Sequence, residues 1–208
     1  IKYLQENAIL ANIEDEILGF DINVDLNALN LLSQNSEELS KKQLDLISKA
    51  SIINADRNIA ILNCVKDSLS DPNKESILIF AGSTDHCIIL KMIFDRENIE
   101  SDYILGSTNK NKRAELIQKF KNKELKVLIN FGVLSTGFDA PKLNSLIIAR
   151  TINSNILGSQ IIGRALRGPK NGGNEKNYIT VLKDNITGAN NPSFLFSYWE
   201  DFWKSEDV

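Results

Sequence analysis

The sequence has little of what several function classes need. Its two cysteines, Cys64 and Cys87, cannot build a disulfide framework and lack the close spacing of a metal-binding pair. They are expected as buried, reduced thiols in a reducing, cytoplasmic compartment. A histidine metal site or a Ser-His-Asp triad would have to use the one histidine, His86, which sits beside Cys87 in an apolar stretch, so neither chemistry is expected. No run of about 18 apolar residues occurs, which argues against a membrane span. The start, Ile1 to Leu10, lacks a basic segment followed by a long apolar one, so no signal peptide is expected. Nowhere is there a Gly-x-x-x-x-Gly-Lys-Ser/Thr loop, an Asp-Glu-x-His box or an Asp-Glu-Ala-Asp box, the elements that cradle phosphates and hold Mg2+.

What is present is an ordinary globular composition: 208 residues, 42% hydrophobic and 25% charged, enough for one or two domains. The charge is uneven. Residues 1–40 carry one lysine against eight acids, a net of −7, so the remainder carries +4 within the total of −3. A mildly basic body permits phosphate contact without demanding it. Lys110 to Lys126 is the densest basic stretch and reads first as a solvated helix face, second as a polyanion contact. Three segments are expected: an acidic arm and helical lead-in over 1–70, a main α/β lobe over 71–188, and an aromatic tail over 189–208.

The hydrophobic pattern alternates between short runs and helical stripes. Ile1 to Leu32 predicts an irregular arm with one hairpin. Ser40–Lys49 and Asp56–Leu69 read as helices, the second with Ile59, Leu62, Val65 and Leu69 on one face. Strands are expected at Ile77–Ala81, Tyr103–Leu105, Val127–Ile129, Leu146–Ala149 and Tyr178–Leu182. Helices are expected between them at Asp85–Glu97, with Ile88, Ile89, Met92 and Ile93 inward, at Lys110–Lys121 with Thr108 as cap, and at Ser154–Leu166. Alternation of this kind implies a parallel sheet with right-handed crossovers, and a ligand site beyond the strand C-termini. Phe194, Phe196, Tyr198, Trp199, Phe202 and Trp203 cluster near the end and read as core or a docking face.

Three segments past strand ends carry chemistry. Gly82-Ser83-Thr84 can hold a phosphate through backbone N–H groups and hydroxyls, or simply cap a helix. Asn130 to Pro141 holds Thr136, Gly137 and Asp139; Gly137 permits close backbone approach and Asp139 can accept from a ribose hydroxyl, though a glycine-rich turn with a capping Asp fits equally. Gln160-Ile161-Ile162-Gly163-Arg164-Ala165-Leu166-Arg167 places Gln160, Arg164 and Arg167 on one helical face, where two guanidinium groups can fork onto an anion or offset a helix C-terminus.

In this order the segments resemble the second RecA-like lobe of superfamily-two helicases and translocases. Ile77–Thr84 is similar to the fourth family motif, Val127–Pro141 to the fifth and Gln160–Arg167 to the sixth, with Arg150-Thr151 and Ser154 similar to the stretch before the sixth. The resemblance covers residues 76–185, and it is nearest to DEAD/DEAH-box-like DNA helicases related to restriction-enzyme translocase subunits. It implies a RecA-like parallel sheet flanked by helices. It implies that Arg164 and Arg167 act as arginine fingers on ATP, that Gly137 and Asp139 face the nucleotide, that Gln160 contacts the nucleotide or the neighbouring lobe, and that Ser83, Thr84, Thr136 and Thr151 touch a nucleic-acid backbone. Arg164, Arg167 and Asp139 would then converge on one rim. Phe131 stands where RNA-type members carry Thr, and Gln160 where they carry His, so DNA is favoured over RNA as partner.

With no phosphate loop, the ATP and its Mg2+ would be held mainly by a first lobe, from the same or a partner chain. The chain alone is expected to be inactive. A non-catalytic docking module of the same fold, binding nucleic acid or protein, is the second reading.

Overall fold

The computed structural model describes residues 5–20, 49–74, 76–133, 143–150, 160–161, 163 and 167–184. These form β1 (Asn12–Phe20), α1 (Ala55–Ser70), β2 (Ile77–Ala81), α2 (Thr84–Arg96), β3 (Ser101–Ile104), α3 (Lys110–Lys121), β4 (Val127–Asn130), β5 (Ser145–Ala149), a 3-10 turn at Pro169–Asn171 and β6 (Lys176–Asp184). The strands make one six-stranded sheet in the order β1-β6-β5-β2-β4-β3. Every pairing is parallel.

The order decides which helix covers which face. Passing from β1 to β2, and from β2 to β3, the chain moves one way across the sheet; from β3 to β4 and from β5 to β6 it moves back. Right-handed crossovers then put α1 and α2 on one face, and α3 with the helical residues near Gln160 on the other. The cores agree. Ile61, Leu62 and Val65 of α1 and Cys87, Leu90 and Phe94 of α2 pack on Ile77, Ile79, Val127, Ile129 and Ile147. Leu116 and Phe120 of α3 join Ile161 on Leu78, Phe80, Leu128, Leu146 and Ile148. The period of two along β2 and β4 sends neighbouring residues to opposite cores. Because β2 and β5 are buried at every position, they read as continuous apolar runs rather than as alternation.

Four local expectations are corrected. Residues 12–20, expected within an irregular arm with a hairpin, are an edge strand paired to β6 along its length. One neighbour suffices for an edge, so Glu14, Asp15 and Glu16 stay exposed, and they broke the apolar pattern that would have marked a strand. The inward stripe of α1 is rotated: Ile59 is 53% exposed, while Arg57, Asn58, Ile61, Leu62, Val65 and Ser68 are buried. The same holds for α2, where Ile88 and Met92 are exposed and His86, Cys87, Leu90 and Phe94 face in. Both rotations bring polar side chains to the sheet's rim. The cap of α3 is Asn109, whose side chain accepts the Asn111 N–H at 2.8 Å, while the Thr108 hydroxyl accepts the Leu105 N–H at 2.9 Å.

The expected helix at Ser40–Lys49 lies, save Lys49, outside the described residues, and the aromatic tail lies wholly outside them. Of the expected helix at Ser154–Leu166, Gln160, Ile161 and Gly163 are described, and all three are helical. Both cysteines are free; burial pushes the Cys87 thiol up to about 12 and the Cys64 thiol up to about 11, so neither is a ready nucleophile. Among the described residues no helix is long and apolar enough to cross a membrane.

Candidate functional site

With every strand parallel, all the strand C-termini open on one rim. Gly82–Thr84 follows β2, Phe131–Val133 follows β4, and Arg150 follows β5. In sheet order β2 lies between β5 and β4, so the hydroxyl turn sits at the centre of this trio.

A buried polar network fixes that turn. Ser83 is the N-cap of α2, its backbone extended and its hydroxyl accepting the His86 N–H at 3.0 Å. The His86 ring reaches back over the turn: Nδ1 accepts the Gly82 N–H at 3.0 Å, and Nε2 pairs with Asn58 Oδ1 at 3.0 Å. Since Nδ1 accepts, the proton is on Nε2, which donates to the amide oxygen. Asn58 Nδ2 in turn donates to the Ile52 carbonyl at 2.9 Å. Burial, and then the nearby Arg57 charge, lower the His86 pKa to about 3. His86 is therefore neutral and engaged at both nitrogens, a brace rather than a proton carrier. Arg57, fully buried, donates from a terminal guanidinium nitrogen to the Ala149 carbonyl at 3.2 Å and so holds the last peptide of β5. One turn of α1 thus anchors two of the three rim segments. Nothing in the sequence marked this beyond two polar residues next to an apolar stripe.

Thr84 is exposed on the rim. Arg150 places its guanidinium over the Phe131 ring, 5.4 Å from the centroid, and burial lowers its pKa. Asn130, at the end of β4, donates its side-chain amide to the Ile79 carbonyl at 3.1 Å and ties β4 to β2.

Arg167 is elsewhere. It forms an antiparallel bridge with Leu10, two residues before β1 begins, so its backbone lies at the opposite rim, where the strands start. That is where a crossover from β5 to a parallel β6 must deliver the chain. The structure therefore does not bring Arg167 to Ser83 and Thr84. Residues 8–10 clamp the turn that follows it: the Gly168 N–H donates to the Ile9 carbonyl at 3.1 Å and the Lys170 N–H to the Ala8 carbonyl at 2.9 Å. A Cβ at Gly168 would come within 2.6 Å of the Ala8 carbonyl oxygen, and one at Gly173 within 2.0 Å of the Arg167 carbonyl oxygen. Only glycine allows this close approach. Gln160 is half-buried beside the fully buried Ile161. Thr136, Gly137, Asp139, Thr151 and Arg164 lie outside the described residues.

Comparison with known proteins follows the same outline. The profile of the helicase conserved C-terminal domain matches residues 60–169. IRC3 of Saccharomyces cerevisiae, assigned as an ATP-dependent helicase, is 34% identical over 110 residues, covering 53% of this chain and 16% of that protein. A Methanocaldococcus jannaschii protein assigned as an ATP-dependent RNA helicase is 26% identical over 212 residues, covering 94% of this chain and 26% of that one. The C-terminal domain of the DEAD-box protein Dbp5 superposes with a TM-score of 0.51 at 23% identity, over 61% of this chain and 71% of that domain, a likeness of fold. The chain thus spans about a sixth to a quarter of these two relatives. It belongs to the helicase conserved C-terminal domain family, and its fold is that of the RecA-like helicase C-terminal domains.

Proposed function

We propose that this chain is the second motor lobe of an ATP-dependent helicase or translocase, working on ATP held by a first lobe and gripping a nucleic-acid backbone. The observation that carries the reading is the separation of two loci on one family-matched sheet: a braced hydroxyl turn at one rim and Arg167 at the other. Ser83, Thr84, Thr136 and Thr151 meet backbone phosphates, which gives grip without reading sequence. Arg164 and Arg167 stabilise charge developing on the transferred phosphoryl group, with Gln160, Gly137 and Asp139 beside the nucleotide. Phe131 and Gln160, in place of the Thr and His of RNA-type members, favour DNA over RNA.

The described residues do not fit a Mg2+ site. Among the described residues no three His, Cys, Asp or Glu side chains cluster to hold a metal, and β2 ends in a capped turn rather than a phosphate loop. In this reading the first lobe holds most of the contacts to the metal and to the β- and γ-phosphates.

The test is ATP turnover with single-stranded nucleic acid present. The chain alone should show none. Joined to a first lobe it should turn over ATP, and Arg164→Ala or Arg167→Ala should each lower kcat by roughly 10³ or more. A docking module would be indifferent to both changes.

A further inference from the structure

The Arg150 guanidinium is given no role in the motor reading. Its Nε is buried and has no hydrogen-bond partner, and among the described residues no carboxylate pairs with it. A buried, unpaired guanidinium N–H costs free energy unless something arrives to accept from it. The charge is held there all the same. Arg57 pins the peptide just before it through the Ala149 carbonyl, and the guanidinium carbon lies over the Phe131 ring.

Position adds the second argument. Arg150 follows β5 and Phe131 follows β4, and β2 runs between those strands. Strands lie about 4.8 Å apart, so a side chain stacked across two intervals must pass over the end of β2. That is where Gly82, Ser83 and the exposed Thr84 lie. A guanidinium held over a ring is restricted in orientation, and its planar fork of donors suits a phosphate oxyanion.

We propose that Arg150, stacked on Phe131, is a phosphate-binding residue at the centre of this rim, with Thr84 as its hydroxyl neighbour. The inference rests on the reading that this rim meets nucleic acid. The ligand is a phosphate group, which a nucleic-acid backbone or a free nucleotide can supply; the backbone is the expected source.

The experiment is fluorescence anisotropy of a labelled single-stranded oligonucleotide titrated with the 208-residue chain across a range of salt, beside a parallel titration with a fluorescent ATP analogue. Arg150→Ala should weaken oligonucleotide binding about tenfold and reduce the salt slope by about one. Arg150→Lys, which keeps the charge without the planar stack, should recover the slope and part of the affinity. Phe131→Leu should give a smaller loss. Melting curves of each variant show that the comparison is between folded proteins, and the Lys variant serves if the Ala variant is unstable. Loss confined to the ATP analogue would support the phosphate site and assign it to nucleotide. Wild-type binding with Arg150→Ala and Arg150→Lys unchanged in affinity and slope would overturn this inference alone. No binding of either probe by the wild type would overturn it together with the nucleic-acid reading of the rim.

Discussion

On one face of the sheet α3 lays Leu116 and Phe120 on Leu78, Phe80 and Leu128, an apolar contact that excludes water. On the other, α1 and α2 bury Arg57, Asn58 and His86 along with Ile61, Leu90 and Phe94. Both helical layers cover apolar strands and both send bonds to the rim, but from different depths: half-buried Arg113 of α3 donates to the Leu105 and Gly106 carbonyls after β3, whereas buried Arg57 and His86 hold Ala149 and Gly82. Apolar burial fixes where a helix lies; a hydrogen bond fixes where a particular peptide points. The buried polar groups of α1 and α2 occur where loop geometry at the rim has to be set.

The contrast can be broken in order of effect. Phe120→Ala, on the apolar face, should cost about 3–5 kcal/mol by urea denaturation, through lost contacts and a cavity. Oligonucleotide affinity of the folded fraction should not change. Asn58→Ala should cost about 1–3 kcal/mol, because the buried His86 N–H loses its acceptor. Unlike the first, it should also weaken oligonucleotide binding, since the Gly82 turn loses its brace. If both variants alter stability alone, the two faces do not differ in the way described.

A pH series sharpens the same point. His86 titrates near 3 in the folded chain, against 6.5 for a free imidazole. Below 6.5 the unfolded chain takes up a proton that the folded one refuses. This contribution to stability is therefore full above about 6.5 and is lost as pH falls toward 3, with a slope of roughly 1.4 kcal/mol per pH unit. Carboxylates add their own acid sensitivity, so the readout is the difference from His86→Asn, whose urea midpoint should fall less steeply between pH 6.5 and 4. Equal slopes would mean that the imidazole is not held neutral.

The strands buried on both sides were legible because nothing but apolar residues suits them: Ile77–Ala81 is found where the continuous run placed it, and Val127–Asn130 one residue longer. Helix existence was legible as well, Lys110–Lys121 to the residue. Helix rotation was not. Periodicity counts apolar side chains, and in α1 and α2 the inward stripe is turned toward Arg57, Asn58 and His86, leaving Ile59, Ile88 and Met92 outside. Strand β1 was hidden because an edge tolerates acids. At the site, the turn at Gly82–Thr84 could be named from small and hydroxyl residues after a strand, but its brace joins His86, four positions after Gly82, to Asn58, 28 positions before His86. The clamp on Arg167 by Ala8, Ile9 and Leu10 is likewise a long-range pairing of backbones, which leaves no trace in side-chain pattern except the glycines at 168 and 173.

Two rims with two tasks is the claim most exposed to test. With the chain joined to a first lobe, Thr84→Ala and Arg167→Ala are each measured for oligonucleotide Kd and for kcat of ATP turnover at saturating oligonucleotide. Thr84→Ala should raise Kd and leave kcat within about twofold, while Arg167→Ala should lower kcat by roughly 10³ and leave Kd within about twofold. Both variants moving the same constant, or neither moving any, would contradict the account.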